Sequence, residues 1–211
     1  MIDEDTIKKG KELLGELINP VTLVTFTQDI ECELCHQNVV LVRDMSRIDR
    51  KIGHEVFDFE KDSDQRERYG IDKIPAIAIV DGKKDYGIRF YGLPSGYEFV
   101  SLIETIRTVS TAEHGLSAET QERMKTVDKA VHIQVFVTPT CPYCPQAVIL
   151  AHRLAYYHDR VRSDMVEVME FPHLANKYGV MGVPRSVINE DLYIEGAVPE
   201  KVLVGKILEI Q

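Results

Sequence analysis

Thr138-Pro139-Thr140-Cys141-Pro142-Tyr143-Cys144-Pro145 lies between two segments of different period. Before it, Val131 to Val137 is apolar and alternating, the pattern of a half-buried strand. After it, Ala147, Val148, Ala151 and Leu154 recur at helical spacing. Two cysteines separated by two residues at a strand-to-helix junction point to a redox pair. One helical turn brings the sulfurs together, and the unpaired N–H groups and dipole of the helix start favour a thiolate on the first. A second pair, Cys32-Glu33-Leu34-Cys35, follows a β-branched run, Val21 to Thr27, and opens an amphipathic segment of its own.

The two pairs belong to a repeat. Cys32 and Cys141 are 109 positions apart, and so are Pro75 and Pro184, and Tyr69-Gly70 and Tyr178-Gly179. Val56-Phe57-Asp58-Phe59 falls on Met165-Val166-Glu167-Val168 at the same offset. Four anchors at one offset describe an internal duplication with its boundary near Glu113-His114-Gly115. The expected domains are residues 1–114, with the Cys32 pair, and 115–211, with the Cys141 pair.

Periodicity predicts a first helix over 3–18, with Ile7, Leu14 and Leu17 or Ile18 on one side, stopped by Asn19-Pro20. A strand over 21–27 and a helix over about 33–49 follow. A strand over 54–59 and a short helix over 63–69 lead to Ile74-Pro75. A strand over 76–80 turns at Asp81-Gly82 into a return strand ending near Tyr91. A closing helix buries Phe99, Leu102, Ile103 and Ile106. The second half repeats this order, with helices near 117–128 and up to 157, and a last helix with Pro199 at its first position. A long helical crossover between the first two strands of each unit implies parallel pairing, and the hairpin implies antiparallel pairing. The expected fold is α/β: a mixed β-sheet flanked by helices in each of two units.

Composition narrows the function. A chain of 211 residues, 44% hydrophobic and 28% charged, is globular rather than disordered. The net charge of -9 and the lack of a broad basic stripe speak against nucleic acid as a partner and against an anionic membrane. No stretch approaches the ~20 apolar residues of a membrane-spanning helix. The acidic start Met1-Ile2-Asp3-Glu4-Asp5 is unlike a secretory signal, so a cytoplasmic location is expected. All four cysteines fall into the two pairs, which leaves none for a structural disulfide framework. Neither G-x-G-x-x-G nor a phosphate-binding loop occurs, so no nucleotide, nicotinamide or flavin cofactor is expected.

Cys141-Pro142-Tyr143-Cys144, with Val183-Pro184 placed 43 residues after Cys141, resembles glutaredoxins and the wider thioredoxin superfamily. Ile74-Pro75 lies 43 residues after Cys32, so the first unit resembles them too. With Phe90-Tyr91-Gly92-Leu93-Pro94 after the first hairpin, the whole chain is similar to the glutaredoxin-like protein disulfide oxidoreductases of thermophilic archaea and bacteria, two thioredoxin-like units in tandem. The resemblance implies cis bonds before Pro75 and Pro184, each facing a cysteine pair. Ile74 and Val183 would then offer backbone groups to an extended substrate, together with Pro75 and Pro184. Cys141 and Cys32 would attack a target disulfide, and Cys144 and Cys35 would resolve the mixed disulfide. The implied activity is thiol–disulfide exchange on protein substrates, with electrons from a separate thioredoxin-reductase-like flavoprotein.

Two features depart from the family. Six residues before each attacking cysteine, where thioredoxins carry a buried carboxylate, stand Phe26 and Val135; Asp58 or Glu167 are the available substitutes. The basic residue and Gly-Gly that help glutaredoxins hold glutathione are missing around Gln28-Asp29, Thr138 and Gly196-Ala197, so glutathione is disfavoured as a partner. Asp29, Glu31 and Glu33 surround Cys32 and oppose a thiolate there, so the second pair is expected to be the more acidic and reactive.

Other readings remain. The tandem unit of some peroxiredoxin reductases is also similar, which would make the chain a dedicated electron carrier to a peroxiredoxin. A redox-gated peptide-binding or chaperone module, and a zinc or cluster site on the four cysteines, are the non-enzymatic alternatives. His36 is read as an exposed histidine and Arg185 as a strand-end cation or a contact to substrate. Tyr156 and Tyr157 are read as helix packing, and Asp62 to Arg68 as a solvated helix with Asp62 as its N-cap.

Overall fold

The computed structural model describes residues 4–82 and 84–210. The chain divides into two compact units. The first is built from the chain up to Asp85 with Arg89–Leu93 and Leu102–Glu113; the second takes Tyr86–Ile88, Pro94–Ser101 and everything from His114.

In the first unit the elements are α1 (Glu4–Leu14), β1 (Val21–Thr27), α2 (Cys35–Ile48), β2 (Ile52–Asp58), α3 (Ser63–Arg68), β3 (Ala76–Val80), β4 (Asp85–Tyr91) apart from Tyr86–Ile88, and the later turns of α4 (Glu98–Thr111). Strand order is β2-β1-β3-β4. β1 runs parallel to β2 (Thr27 opposite Asp58) and antiparallel to β3, which pairs antiparallel with β4. This is the expected pattern: the helical crossover gives the parallel pair and Asp81-Gly82 the hairpin. Leu23, Phe26, Met45, Ile77, Ile79, Leu102 and Ile106 fill the space between sheet and helices, all buried. Each such side chain is worth roughly 1.5–3 kcal/mol of transfer free energy.

The second unit carries α5 (Ala118–Met124), β5 (Val131–Val137), α6 (Cys144–Tyr157), β6 (Val161–Glu167), α7 (Pro172–Lys177), β7 (Arg185–Ile188), β8 (Leu192–Glu195) and α8 (Glu200–Leu208). β5 is parallel to β6 and antiparallel to β7, and β7 and β8 form the hairpin. Ser117 caps α5 with its hydroxyl and is itself held to α8, its N–H and O–H both donating to Glu200 Oε1 at 3.0 and 2.7 Å. Under the sheet, buried Asp164 joins β6 to β5 by accepting from His132 Nε2 at 2.6 Å, with Arg162 on its other oxygen. Burial pushes the Asp164 carboxyl up, but His132 and Arg162 outweigh it and hold it down at about 2.

The helices α2 and α6, and α3 and α7, keep the 109-residue offset at both ends, but β1 and β5 do not. The loop into Cys32 has one residue more than the loop into Cys141, and Glu31 takes it up in the left-handed region, at φ 58°.

Some boundaries differ from expectation. α1 ends at Leu14, because Gly15 adopts φ 61° and returns its N–H to Lys11 O, so the helix stops six residues before Pro20. Leu17 is buried from the segment that follows, while Ile18 is exposed. Asp3, where that helix was expected to start, and the side chain of Ile7 lie outside the described residues. Pro199 precedes α8 as its N-cap with extended ψ rather than sitting inside it. Asp62 makes no side-chain cap on α3; its carboxylate reaches back to accept from the Asp58 N–H at 2.7 Å.

Candidate functional site

Each cysteine pair sits where its parallel strand ends and its helix begins. β5 runs out at Val137, three residues turn, and Cys141 precedes α6, whose first residue is Cys144. The two form a disulfide, as do Cys32 and Cys35 at the start of α2. The second cysteine of each pair is buried, Cys35 at 1% and Cys144 at 0% exposure, because it faces the sheet from the first helical turn. The first is the outer one: Cys32 is half-buried and Cys141 is 8% exposed.

Polar groups already point at the outer sulfur of the second unit. The Cys144 N–H donates to Cys141 Sγ at 3.1 Å, one of the free donors of the helix start. Cys141 Sγ also lies 3.7 Å from the Val183 carbonyl oxygen. The Val183-Pro184 bond is cis, and the Pro184 carbonyl accepts from Gly196 N–H at 2.8 Å, which fixes the start of β7 opposite the helix.

The first unit repeats the arrangement. Ile74-Pro75 is cis, and Gly92 N–H donates to Pro75 O at 2.9 Å. Here the helix and the proline strand are tied by side chains. Asn38, one turn beyond Cys35, donates through Nδ2 to Thr25 Oγ1 at 3.1 Å, and Thr25 donates to Ala76 O at 2.9 Å. All three residues are fully buried, and Asn38 Oδ1 has no protein partner. Thus the structure brings Cys32, Cys35, Ile74 and Pro75 onto one set of adjacent strand and helix ends, and Cys141, Cys144, Val183 and Pro184 onto another.

Buried carboxyls distinguish the units. Glu167 ends β6 at 3% exposure; burial raises its pKa against the N–H groups of Met169 and Glu170. Asp58, at the equivalent end of β2, is half-exposed, and the Lys61 N–H and ammonium lower its pKa. Of the two substitutes read from the sequence, only Glu167 is a buried acid. A second was missed. Glu98 is 1% exposed, and burial pushes its carboxyl up to about 7 against the Ser101 hydroxyl. Its neighbour Tyr97 donates its N–H to Pro139 O at 2.9 Å, so Glu98 enters beside the loop that carries Cys141. The available signal was a carboxylate standing directly before the apolar face of Phe99, Leu102 and Ile103, where an exposed acid would ordinarily lie on the other side.

Arg185 is neither a solvated strand end nor free for substrate: it is buried, paired with Glu195 at 2.7 Å and stacked on Tyr193. His36 is exposed. Tyr156 stacks on Tyr86, and Tyr157 donates to Gln121 O, both packing roles. Among the described residues no three His, Cys, Asp or Glu gather as a metal site, and no helix is long and apolar enough to cross a membrane.

Comparison with known proteins places this geometry. The family profile described as thioredoxin domain matches residues 131–209. A thioredoxin of Methanocaldococcus jannaschii is 40% identical over 78 residues, 36% of this chain and 92% of its own length. A protein disulfide oxidoreductase structure from Aeropyrum pernix superposes with TM-score 0.91 at 33% identity, covering 98% of this chain and 93% of that one. The N-terminal N/C domain of alkylhydroperoxide reductase AhpF from Enterococcus faecalis superposes with TM-score 0.91 at 25% identity, covering 98% and 100%. The chain spans between 26% and 37% of the length of the bacterial alkyl hydroperoxide reductase F subunits that it matches in sequence.

Proposed function

The chain belongs to the thioredoxin-fold disulfide oxidoreductases, and on that premise we propose that it carries electrons to a peroxiredoxin-type partner that reduces alkyl hydroperoxides. It works by thiol–disulfide exchange. Cys32, Cys35, Cys141 and Cys144 are the reacting residues, and Ile74, Pro75, Val183 and Pro184 receive the partner's chain. The two catalytic domains are residues 1–114 and 115–211, with Pro94–Ser101 packed into the second. The observation that carries the reading is Cys141 Sγ, held between the Cys144 N–H and the carbonyl of the residue before Pro184. A sulfur so placed can be attacked or attack while an extended segment pairs with the Val183 backbone.

In the reducing direction the Cys141 thiolate attacks one sulfur of the partner's disulfide. A mixed disulfide forms and the partner's other sulfur leaves as thiolate, taking up a proton. Cys144 then loses its proton and attacks Cys141 Sγ, which releases the second partner thiolate and closes the Cys141–Cys144 disulfide. Two electrons have moved to the partner. Glu98, pushed up to about 7, and Glu167, raised by burial, are the candidate acceptors of the Cys144 proton. A separate thioredoxin-reductase-like flavoprotein returns the pair to the dithiol, and no further cofactor is required.

Sequence reasoning ranked general protein substrates first and the peroxide branch second. Likeness to the F subunits over nearly the whole chain reverses that order. The broader reading, a protein disulfide oxidoreductase of the glutaredoxin-like kind found in thermophiles, is favoured by one observation: 33% identity to the Aeropyrum pernix enzyme along its length. It keeps both pairs, the Cys141-Pro142-Tyr143-Cys144 motif and a cytoplasmic setting. Serine variants of each pair, assayed for reduction of a peroxiredoxin and of insulin, separate the two. Faster turnover of the peroxiredoxin supports the carrier, and preference for insulin replaces it with the general enzyme.

A further inference from the structure

The two exchange sites have the same frame and different rims. Four positions around each pair stand at the shared 109-residue offset, and all eight side chains are exposed. In the first unit they are Glu31, Glu33, Glu60 and Asp72; in the second they are Thr140, Pro142, Met169 and Met181. Every carboxylate is exchanged for an uncharged group.

Their places follow from the fold. Glu31 and Glu33 flank Cys32 in the chain, as Thr140 and Pro142 flank Cys141. Glu60 follows the end of β2, where Phe59 N–H bonds Thr27 O at 2.8 Å, so this turn lies against the loop that leads to Cys32. A cavity there is lined by Asp29, Ile30, Glu31, Asp58, Glu60 and Lys61. The second unit repeats the bond, Val168 N–H to Val137 O at 3.0 Å, and puts Met169 at the corresponding turn. Asp72 and Met181 each stand two residues before the residue that precedes the cis-proline. Met169, Met181 and Tyr143 are 77%, 93% and 68% exposed.

The carboxylates are not a site of their own; they ring a disulfide whose outer sulfur, on Cys32, reaches the surface. Two lysines in the ring do not cancel them: Lys61 is paired with Asp58, and Lys73 with Asp72 while lying over the Tyr91 ring. Glu31, Glu33, Glu60 and Asp29 remain in excess. We propose that the first unit's pair exchanges with a partner protein that carries lysine or arginine beside its reacting cysteines, whereas the second unit's pair does not select by charge. The rim sets encounter, because a ring of one sign steers an oppositely charged partner and repels its like. The chemistry stays that of the proposed function, on which the inference rests: the Cys32–Cys35 dithiol gives two electrons to the partner's disulfide, closes its own, and the partner's two sulfurs leave as thiols.

The test uses the full chain with one pair removed, C141S/C144S or C32S/C35S, reduced beforehand with dithiothreitol. Single-turnover reduction is followed for three peptides with one internal disulfide each, flanked by lysines, glutamates or serines, at low and high salt. The Cys32 pair is expected to reduce the lysine-flanked peptide about tenfold faster than the glutamate-flanked one at low salt, with the ratio collapsing toward one at high salt. The Cys141 pair, which shares the chain's overall negative charge, is expected to show a much smaller ratio. E60M/D72M in the C141S/C144S chain is expected to lower the ratio at the Cys32 pair. Equal rates for the three peptides at the Cys32 pair, equal ratios at the two pairs, or a ratio untouched by E60M/D72M overturns the inference. Failure of the Cys32 pair to reduce any of the peptides overturns instead the exchange reading of that unit, and the inference with it.

Discussion

Cys32 and Cys141 are the same side chain in two different fields. Cys141 has a helix N–H on its sulfur and uncharged chain neighbours in Thr138, Pro139, Thr140 and Pro142; Cys32 has Glu31 and Glu33 on either side. The first arrangement stabilises a thiolate and the second opposes one. Alkylation by iodoacetamide as a function of pH, in chains reduced to a single outer cysteine, is expected to show Cys141 reacting at lower pH than Cys32. The reverse order contradicts this account of the two fields. Glu98 gives a second expectation at this scale. Its folded pKa, at about 7, exceeds the ordinary 4.5, so the folded state holds a proton that the unfolded chain has released between those values. That contribution to stability is complete below pH ~4.5 and lost as pH rises through 7, about 3 kcal/mol in all. Glu98→Gln is therefore expected to be the more stable chain at pH 8 and nearly level with the parent at pH 4, in urea melts. It is also expected to slow the Cys141 pair near neutrality and flatten its pH profile. A parallel stability curve for both chains removes Glu98 from the proton account.

Elements place these residues, and here the sequence was only partly readable. The 109-residue offset was visible because helix α2 and helix α6 repeat it at both ends, and the strands after each proline repeat it at their first residue. The extra residue in the Cys32 loop was not, since both cysteines satisfy the offset and the shift is absorbed upstream, at Glu31. Helix α1 was read too long because Leu17 continues the apolar period, although Gly15 takes a left-handed conformation and ends the helix first. Glu98 escaped because it is distant in sequence from Cys141; the packing of Gly96-Tyr97 on Pro139 brings its segment to that loop. Gly96 holds that contact by two means: φ is 59°, and an added β-carbon would collide with the Pro139 carbonyl. Gly96→Ala is expected to cost roughly 1–3 kcal/mol and to slow exchange at Cys141 several-fold, with the Cys32 pair far less affected. Equal slowing at both pairs would mean that the substitution acts on folding alone.

At the scale of the whole molecule, one frame has been used twice with different surroundings. Disulfide, helix start and cis-proline strand recur in both units, so the chemistry is common. The second unit holds the buried acids Glu98 and Glu167, and exposed carboxylates flank the pair of the first, so the proposed proton handling and choice of partner differ. Such a division suits a carrier whose two pairs meet different proteins. The family could be read from the sequence because cysteine spacing and the matching prolines lie within the chain itself. The favoured partner could not, because it depends on likeness to longer proteins of which this chain spans a part.

The claim beneath all of this is that each pair is an exchange centre with an outer attacking sulfur and an inner resolving one. Replacing the inner cysteine stops the reaction at the mixed disulfide, so the full chain carrying C35S and C144S together is incubated with a peptide disulfide and mapped by mass spectrometry. The account predicts peptide linked to both Cys32 and Cys141. A chain that stays unlinked at either outer cysteine, while the same cysteine is open to iodoacetamide, contradicts it.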